Sequence, residues 1–490
     1  MKLRDICRRA GIKCPKALFE LEITGITSNS KRVDVGNLFF CLSGTKNDGH
    51  HFVEEALKLG AASVVIEKEE FLCEKAVLVE DTRVALAKMM NIFCGEPTKR
   101  LKFIGITGTN GKTSVSVMIK NVFDTLQTPC EVIGTLNCSS FSEKSNDPQA
   151  NVTTPDPEEL YPMLRRMSDA GIRVVVMEAS SHALKLKKLA PIDFEIGIFT
   201  NLTEDHLDFH KDMEDYFKSK LCLFDKCKLG IINVDDEYGM RIKNLAPCKI
   251  KTCSTEQDAD FSVMDIKDLC EKGTRYTLKH ENDGFEVECK VPGIFSIMNS
   301  MQACACALEL KIDKKIIERS FENFAGVKGR LEKVELSGGQ PFAVFIDYAH
   351  TPDALFKLLE TVNTFKNDEN RVVLLFGCGG DRERQKRKIM GKIAVSGADR
   401  VIVTSDNPRS EEPRQIINDI LEGMAGYENY TVIPDRKAAI EYAMANARAG
   451  DIILLAGKGH ENYEINARGR FGFDEREIVR AAFDKLYKEE

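Results

Sequence analysis

A glycine-rich turn followed by lysine and threonine carries the clearest chemistry in this 490-residue sequence. The run GITGTNGKTS at 105–114 follows an apolar stretch that predicts a buried strand. In such a strand-turn-helix unit, backbone N–H groups cradle phosphates, the lysine reaches the terminal phosphates and the threonine ligates Mg²⁺. We therefore predict that a nucleotide is bound by Gly108, Thr109, Asn110, Gly111, Lys112, Thr113 and Ser114.

This turn departs from the general phosphate-loop pattern, because Ile106 stands where that pattern has its first glycine. The spacing is G-x-x-G-K-T, which gives a shorter loop. The alternative to a nucleotide site is a glycine-rich strand-to-helix turn in which the lysine is incidental. The preceding strand and the helical pattern from 113 to 126 favour the nucleotide site.

A carboxylate and a pair of histidines follow two further predicted strands. Glu178 ends the apolar run VVVME, and burying a carboxylate there is costly unless it is paired or ligated. We predict that Glu178 is an Mg²⁺ ligand, with a helix cap as the alternative. His206 and His210 would share one face of a helix, which suggests a zinc hydrolase, but Leu207 stands where the H-E-x-x-H pattern needs glutamate. We expect His206 to join the metal cluster instead, with a structural polar turn as the alternative.

In the C-terminal third of the chain, motifs of polar and glycine residues follow four predicted strands. These are DYAHTPD at 347–353, GCGGDR at 377–382, DNPR at 406–409 and GKGHE at 457–461. Such a gathering predicts a small-molecule site. The basic run from Arg382 to Lys388 could bind nucleic acid, but the Glu383 and Gln385 within it favour a solvated helix face.

Composition limits the class of protein and its partners. Hydrophobic residues make up 43% and charged residues 30%, and the formal net charge of −7 argues against nucleic-acid binding. No stretch approaches the roughly 18–20 apolar residues of a membrane-spanning helix, and the N-terminus has no secretory signal. The 16 cysteines include no C-x-x-C pair, which is typical of reduced thiols. We expect a cytoplasmic monomer without nucleic-acid or membrane partners.

The length and the alternation of strands with helices predict an α/β protein of three domains. We place a small mixed α/β domain at 1–99 and a central P-loop-type, doubly wound sheet at 100–330. A C-terminal, Rossmann-like parallel sheet occupies 331–490. Each of the motifs in the last two regions follows a strand of these sheets.

As a set, these motifs resemble those of the Mur ligases of peptidoglycan synthesis. The resemblance also includes MEASSHAL at 177–184, TNLTEDHLDFH at 200–210, DNPRSEEP at 406–413 and AGKGHE at 456–461, and it covers nearly the whole chain. The chain is most similar to the members that add meso-diaminopimelate to UDP-MurNAc-L-Ala-D-Glu. The resemblance implies an N-terminal domain for the uridine nucleotide, a central domain for ATP and Mg²⁺, and a C-terminal domain for the amino acid.

The resemblance also implies roles that spacing alone does not identify. The muramoyl substrate would contact Ser30, Thr45, Lys46, Asn47, Thr153, Thr154, Ser180 and Lys188. ATP would also meet Asn299, Arg330, Asp347 and His350. The implied catalytic residues are Lys112, Lys220 and His206, and the implied metal ligands are Thr113, Glu178, His206 and Lys220. The family usually has arginine at position 188.

Lys220 has a special status in this set. Its sequence context alone indicates only a solvated helix lysine. The resemblance implies that CO₂ converts it to a carbamate, which gives Mg²⁺ anionic oxygens in place of a repelling ammonium.

The amino-acid site is implied at Arg382, Asp406, Asn407, Pro408, Arg409, Gly457 and Glu461. The planar cation of Arg409 suits the distal carboxylate that diaminopimelate has and lysine lacks. Pro408 would hold that loop in place, and Arg382 would meet the carboxylate beside the reacting amine. Gly457 and Glu461 would receive the distal amine. A surface arginine after a turn is the alternative for Arg409.

The implied reaction is ATP-dependent amide formation through an acyl phosphate. Three other functions remain as alternatives: a related ligase that adds L-lysine, or glutamate to folate; a non-enzymatic nucleotide-binding switch; and a zinc hydrolase.

Overall fold

The structure is a computed structural model that describes residues 1–44, 47–136, 141, 153–269, 272–281, 283–336, 341–364, 366 and 370–487. These residues form three main sheets, one after another along the chain, and each is flanked by helices. The predicted α/β class with three domains is therefore confirmed. None of the described helices is both long and apolar enough to cross a membrane.

The N-terminal sheet is small and wholly parallel in the described residues. Its strands lie side by side in chain order. They are β1 (Gly25–Thr27), β2 (Asn37–Phe40), β3 (Ser63–Ile66) and β4 (Ala76–Leu78). The helices of this region are α1 (Leu3–Ala10), α2 (Val53–Lys58) and α3 (Thr82–Phe93).

The central sheet is parallel over most of its width. Its strands are β5 (Lys102–Thr107), β6 (Cys130–Ile133), β7 (Val174–Glu178), β8 (Phe194–Phe199), β9 (Cys227–Asn233), β10 (Lys249–Ser254), β11 (Phe261–Asp268), β12 (Thr274–His280) and β13 (Asp283–Cys289). Their order is β13-β12-β11-β10-β9-β8-β5-β7-β6. The phosphate loop thus follows an inner strand, between β8 and β7, and the polar ends of three neighbouring strands meet at one edge.

The antiparallel extension β11–β13 is not part of the sequence prediction. The connections 269–273 and 281–282 are too short for the helical crossover that a parallel pair needs, so these strands fold back as hairpins. Phe285, Val287 and Cys289 alternate inward along β13, as in a sheet with one buried face.

The central helices cover both faces of this sheet. They are α4 (Lys112–Thr125), α5 (Pro157–Asp169), α6 (Ser181–Lys185), α7 (Met213–Leu221), α8 (Glu237–Leu245), α9 (Ile294–Glu309) and α10 (Lys314–Glu322). Helix α9 is buried continuously from Ser296 to Ala307, because it packs against α4 and the strands.

The C-terminal sheet has the order β14-β15-β19-β16-β17-β18, and among its described strands only β14 runs antiparallel to its neighbour. Its strands are β14 (Glu332–Lys333), β15 (Ala343–Asp347), β16 (Val372–Phe376), β17 (Arg400–Val403), β18 (Tyr430–Val432) and β19 (Ile452–Ala456). A hairpin of β20 (Tyr463–Asn466) and β21 (Gly469–Gly472) follows. The helices are α11 (Pro352–Thr364), α12 (Gln385–Gly397), α13 (Pro413–Leu421), α14 (Arg436–Ala445) and α15 (Glu475–Tyr487).

Candidate active site

The phosphate loop joins β5 to α4 through two glycines with positive φ. Gly108 and Gly111 have φ of 152° and 87°, and a β-carbon at Gly111 would collide with the Asn299 amide. Glycine is required at both positions because other residues rarely adopt these angles. The loop is also anchored to the next strand, since Asn110 N–H donates to the Asn201 side chain at 2.9 Å.

Two lysines converge on the loop. Lys112 Nζ donates to the carbonyls of Gly108 at 2.8 Å and Thr109 at 2.9 Å. Lys220 Nζ, from α7, donates to the same Gly108 carbonyl at 2.8 Å and lies 4.5 Å from the centre of the Tyr216 ring. Lys220 is only 1% exposed, so the solvated helix lysine that its local sequence indicates is wrong.

Burial and neighbouring positive charges disfavour the charged form of both lysines. Burial lowers the pKa of Lys112, and nearby Arg330 adds to that shift. The pKa of Lys220 is well below its ordinary value, chiefly because of burial and next because of the positive charge of Lys112. A lysine in this setting readily loses its proton and becomes a nucleophilic amine.

Glu178 ends β7 and is fully buried. Its Oε2 accepts hydrogen bonds from Thr113 Oγ1 at 3.1 Å and Thr135 Oγ1 at 2.9 Å, and its Oε1 accepts from Thr135 N–H at 3.1 Å. Thr113 and Glu178 thus present adjacent hard oxygens beside the phosphate loop. Mg²⁺ on a nucleotide needs only one or two such protein ligands, so this donor set fits Mg²⁺.

The histidines do not lie on a helix. His206 sits in a turn with a positive φ of 56°, and its ring centre lies 5.1 Å from that of His182. His210 is buried and its Nε2 bonds Ser181 Oγ at 2.9 Å. The described residues bring no three His, Cys, Asp or Glu side chains together as a tetrahedral zinc site requires, so the geometry does not favour a zinc hydrolase.

His206 nevertheless faces the ligand space. Burial in the cleft lowers the pKa of its imidazole to about 4, against the opposing effect of Asp205. The ring is therefore neutral at physiological pH and can act as a ligand or a hydrogen-bond acceptor.

Thr153, Thr154, Ser180 and Lys188 form the neighbouring wall. Thr154 Oγ1 donates to the Glu178 carbonyl at 2.7 Å and lies 3.0 Å from Ser180 Oγ. Lys188 is 8% exposed, and its Nζ lies 2.7 Å from Asp156.

Arg330 links the two larger domains. Its guanidinium donates to Thr113 Oγ1 at 3.3 Å and lies 4.6 Å from the centre of the Tyr348 ring. Asp347 accepts from the N–H groups of Leu331 at 2.6 Å and Ala349 at 2.7 Å, and burial raises the pKa of its carboxyl. Asp347 therefore fixes the backbone on both sides of this contact.

A second link joins the phosphate loop to the C-terminal domain. Asn110 Nδ2 donates to Asp353 Oδ2 at 2.9 Å, and Thr203 Oγ1 lies 3.3 Å from the same oxygen. Asp353 is in the first turn of α11, so this helix bears directly on the loop.

The facing wall comes from the C-terminal sheet. Asn407 Nδ2 donates to Glu461 Oε2 at 2.7 Å, while Asn407 Oδ1 accepts from Lys458 Nζ at 2.9 Å. Arg409 donates to the Gly380 carbonyl at 2.9 Å. Burial lowers the pKa of Arg409 and the neighbouring Arg382 guanidinium lowers it further, while Asp406 and Glu461 oppose the shift. We call the part of this wall that carries these two guanidinium groups the cationic wall.

These features surround one cavity of about 790 Å³ between the central and C-terminal domains. The predicted site residues that line it are Thr109, Asn110, Gly111, Lys112, Thr113, Ser114, Thr153, Thr154, Glu178, Ser180, Lys188, His206, Asn299, Arg330, Asp347, His350, Arg382, Asp406, Asn407, Arg409, Gly457 and Glu461. The sequence motifs thus meet around one space large enough for a nucleotide and a second ligand.

Some predicted residues do not line the cavity. Gly108 belongs to the phosphate loop but does not line the cavity, Lys220 lies behind it and donates to its carbonyl, and Pro408 is buried in its own loop. Ser30 begins a short turn of the N-terminal domain, next to Ser28, which bonds Glu158 of α5. Asn47 is exposed in the same domain, and Thr45 and Lys46 lie outside the described residues.

Sequence reasoning missed the role of Arg387. The sequence favours a solvated helix face for the basic run from Arg382 to Lys388, and this prediction is wrong for Arg387, which is fully buried. A signal was present, because Arg387 shares a helical face with the buried Met390, Gly391 and Ala394. The contacts of Asp353 and Lys458 were not predicted either. Asp353 pairs with the distant Asn110, and Lys458 donates to the distant Asn407 and to the main-chain carbonyl of Tyr463.

Sequence models of one protein family match the chain in three segments. The model described as "Mur ligase family, catalytic domain" matches residues 22–94, "Mur ligase middle domain" matches 106–307, and "Mur ligase, glutamate ligase domain" matches 329–459.

Curated relatives match over the full length. The chain is 40% identical to the UDP-N-acetylmuramoyl-L-alanyl-D-glutamate–2,6-diaminopimelate ligase of Clostridium perfringens (strain 13 / Type A), over 98% of this chain and 99% of the relative. It is 37% identical to the protein of that name from Listeria innocua serovar 6a, over 99% of both chains.

Solved structures of related ligases are similar to this chain in fold. A UDP-N-acetylmuramoyl-L-alanyl-D-glutamate–2,6-diaminopimelate ligase superposes with a TM-score of 0.69 and 31% identity over 99% of both chains. The MurF ligase of Thermotoga maritima in complex with ADP has a TM-score of 0.60 and 18% identity, covering 97% of this chain and all of its own. A folylpolyglutamate synthase of Mycobacterium tuberculosis has a TM-score of 0.61 and 17% identity, over 82% of this chain and 95% of its own. These last two likenesses concern the fold alone. On the full-length identities and the three matched segments, this chain belongs to the Mur ligase family.

Proposed function

We propose that this chain is an ATP-dependent ligase that joins meso-diaminopimelate to the D-glutamate of UDP-MurNAc-L-Ala-D-Glu. The observation that carries the proposal is the cavity of about 790 Å³, which has the phosphate loop on one wall and the cationic wall with Arg382 and Arg409 on the other. The names of the full-length relatives support the same substrates. The reaction proceeds through an acyl phosphate in two displacement steps.

In the first step the γ-carboxylate of the D-glutamate attacks the γ-phosphorus of ATP, and ADP leaves. Lys112 and Arg330 lie at the phosphate loop, where their charges stabilise the transferring phosphoryl group. Lys188 provides a cation for the substrate carboxylate. Thr113, Glu178 and His206 would hold Mg²⁺, which supplies further neutralisation of phosphate charge when bound.

In the second step the amine of the incoming amino acid attacks the acyl carbon, and phosphate leaves the tetrahedral intermediate. Arg409 pairs with the distal carboxylate and Arg382 with the carboxylate beside the reacting amine. Gly457 and Glu461 receive the distal amine, and Asp406 and Asn407 lie beside them in the same wall. The Asn110–Asp353 contact holds the C-terminal domain over the loop, which protects the acyl phosphate from water.

Lys220 acts in this proposal as a carbamate. A neutral amine adds to CO₂ and releases one proton, and the low pKa of Lys220 supplies that neutral amine. The carbamate would replace a cation beside Lys112 by an anion, so that repulsion becomes attraction, and it would offer anionic oxygens to Mg²⁺. Its position behind the loop makes Lys220 an organiser of the metal site.

The test is phosphate release from ATP by the purified protein in the presence of UDP-MurNAc-L-Ala-D-Glu. We expect release only when meso-diaminopimelate is also present, with L-lysine and L-glutamate as comparison amino acids. Release that requires folate and glutamate would replace the proposal with the folate-type ligase. Release with no dependence on any amino acid would indicate a nucleotide-hydrolysing switch.

A further inference from the structure

Two loops carry the cationic wall, and they are bound to each other at several points. We call them the first loop (377–382, after β16) and the second loop (405–411, after β17). Gly380 N–H donates to the Asn407 carbonyl at 2.9 Å, and Ser410 Oγ donates to Asp381 at 2.6 Å. A β-carbon at Gly380 would overlap the Pro408 carbonyl, so the two backbones touch.

Neither loop has a relaxed backbone. Asp381 and Arg409 have φ of 52° and 53°, in the left-handed region that side chains rarely adopt. Such conformations persist only where surrounding contacts over-determine them. We therefore expect contacts from outside the two loops to support their backbones in these conformations.

That support is the guanidinium of Arg387, on α12, which is fully buried and does not line the cavity. Its Nη2 donates to the Gly379 carbonyl of the first loop at 3.2 Å and to Glu411 Oε1 of the second loop at 2.8 Å. Its Nη1 donates to Glu411 Oε2 at 2.9 Å and to Asp419 of α13 at 2.8 Å.

Glu411 completes the junction. While it receives Arg387 as a two-pronged pair, its Oε1 also accepts the N–H of Asp381 at 2.6 Å. The paired charge of Arg387 holds the pKa of this carboxyl down at about 2, so the bridge keeps its charge at all physiological pH values.

We propose that Arg387 is a positioning residue for the incoming amino acid, since its planar fork ties the two loops together and so fixes the spacing of Arg382 and Arg409. This inference rests on the proposed function, because it concerns the site that selects the amino acid. A lysine cannot replace Arg387, because a single ammonium lacks the flat geometry that reaches Gly379, Glu411 and Asp419 at once.

The experiment compares Arg387→Lys with the wild type in steady-state assays of all three substrates. We expect the KM for meso-diaminopimelate to rise about tenfold or more, because small displacements of positioning groups are costly. The KM for ATP and for UDP-MurNAc-L-Ala-D-Glu should stay within about twofold. The preference for diaminopimelate over L-lysine should fall in parallel, since Arg409 loses its fixed place.

Arg384→Lys is the matched control. Arg384 reaches the same Glu411 at 3.3 Å from the start of α12, but its side chain is 67% exposed. It should leave all three KM values near those of the wild type. An equal rise for Arg384→Lys would mean that any guanidinium beside Glu411 has this effect and that the buried fork of Arg387 has no special role, and the inference would be wrong.

Glu411→Gln provides a second variant in case Arg387→Lys does not fold. It removes the carboxylate from the junction and should again raise the KM for the amino acid selectively. Equal rises for all substrates, a fall in kcat with unchanged KM values, or failure of both variants to fold would each reduce Arg387 to a general stabilising residue and overturn the inference. Failure of the proposed function would instead be visible in the wild type, as no phosphate release with diaminopimelate.

Discussion

The two walls of the cavity hold their charges differently. On the phosphate side, Lys112 and Lys220 donate to backbone carbonyls, and no described carboxylate forms an ion pair with either. On the C-terminal side most buried charges are paired with one another, as in Arg387–Glu411 and Arg436–Glu475. An amine that donates only to carbonyls can interact with an incoming group, which is a phosphate anion for Lys112 and CO₂ for Lys220, whereas the paired guanidinium of Arg387 fixes geometry.

Arg409 is the exception that makes the comparison useful. It lies on the C-terminal side, yet it donates to the carbonyls of Gly380 and Asn407, like a lysine of the phosphate loop. By the same rule Arg409 is available to bind an anion and Arg387 is not. The predictions below test whether Lys112, Lys220 and Arg409, for which no described carboxylate forms an ion pair, act on ligands, while the paired Arg387 holds the shape of the site.

The largest effect is expected for Lys112→Ala. Removing this charge from the phosphate loop should lower turnover about a thousandfold or more, because it acts on the transferring phosphoryl group, and should leave the fold intact. Lys120→Ala, on the same helix but paired with Asp124 at 2.8 Å, should keep normal turnover. Phosphate release and far-ultraviolet circular dichroism measure the two outcomes, and near-normal turnover of Lys112→Ala would contradict the rule.

Lys220→Ala should be the next most severe change. We expect a loss of about a hundredfold or more, as for other groups that organise a metal site, with partial recovery when a small carboxylate such as acetate is added. Lys218→Ala, on the same helix and 69% exposed, is the control. Full activity of Lys220→Ala without added carboxylate would remove Lys220 from the site.

Selection of the amino acid should depend on Arg409. The wild type should prefer meso-diaminopimelate over L-lysine in kcat/KM on the order of a hundredfold, since lysine leaves buried polar groups unpaired. Arg409→Met should cut that ratio about tenfold, whereas Arg414→Met, exposed on α13, should not change it. Equal values for the two amino acids in the wild type would refute the assignment of this wall.

The smallest effect concerns acid stability. Burial lowers the pKa of His460 to about 4, and that of His350 to about 4 as well, while an unfolded histidine titrates near about 6.5. The unfolded chain therefore binds more protons below that pH, and the free energy of unfolding should fall as pH drops from about 6.5 towards 4. His460→Gln should flatten this dependence in thermal melts at several pH values. An unchanged slope would show that His460 titrates normally.

Local sequence was sufficient for the elements that carry chemistry. The phosphate loop and the strand ends near Glu178, Asp347 and Asp406 could be predicted because each signal lies within a few residues of a strand. The structure confirms the α/β class, and the full-length relatives and family models confirm membership of the family. The division into residues 1–99, 100–330 and 331–490 stays a prediction, as do the individual ligand contacts.

The sequence alone could not predict two kinds of feature, which are contacts between residues far apart in the chain and the backbone angles of individual residues. Arg387 pairs with carboxylates 24 and 32 positions away, and Asn110 meets Asp353 243 positions away. His206 leaves the helix that its spacing to His210 suggests, because its backbone takes a positive φ. The strands β11–β13 pair antiparallel because their connections are short. The pattern of the other strands predicts a parallel sheet and does not take the length of these connections into account.

The segment around Arg330 has a consequence for how such enzymes could evolve by exchange of domains. Leu331 N–H is held by Asp347, and Glu332 is paired with Arg476 of α15, whereas Arg330 reaches back to Thr113. A crossover immediately after Arg330 would therefore separate it from the C-terminal residues that orient it. We therefore expect active chimeras that exchange the C-terminal domain between relatives to be joined before this segment, so that the donated piece brings its own arginine to the recipient's phosphate loop.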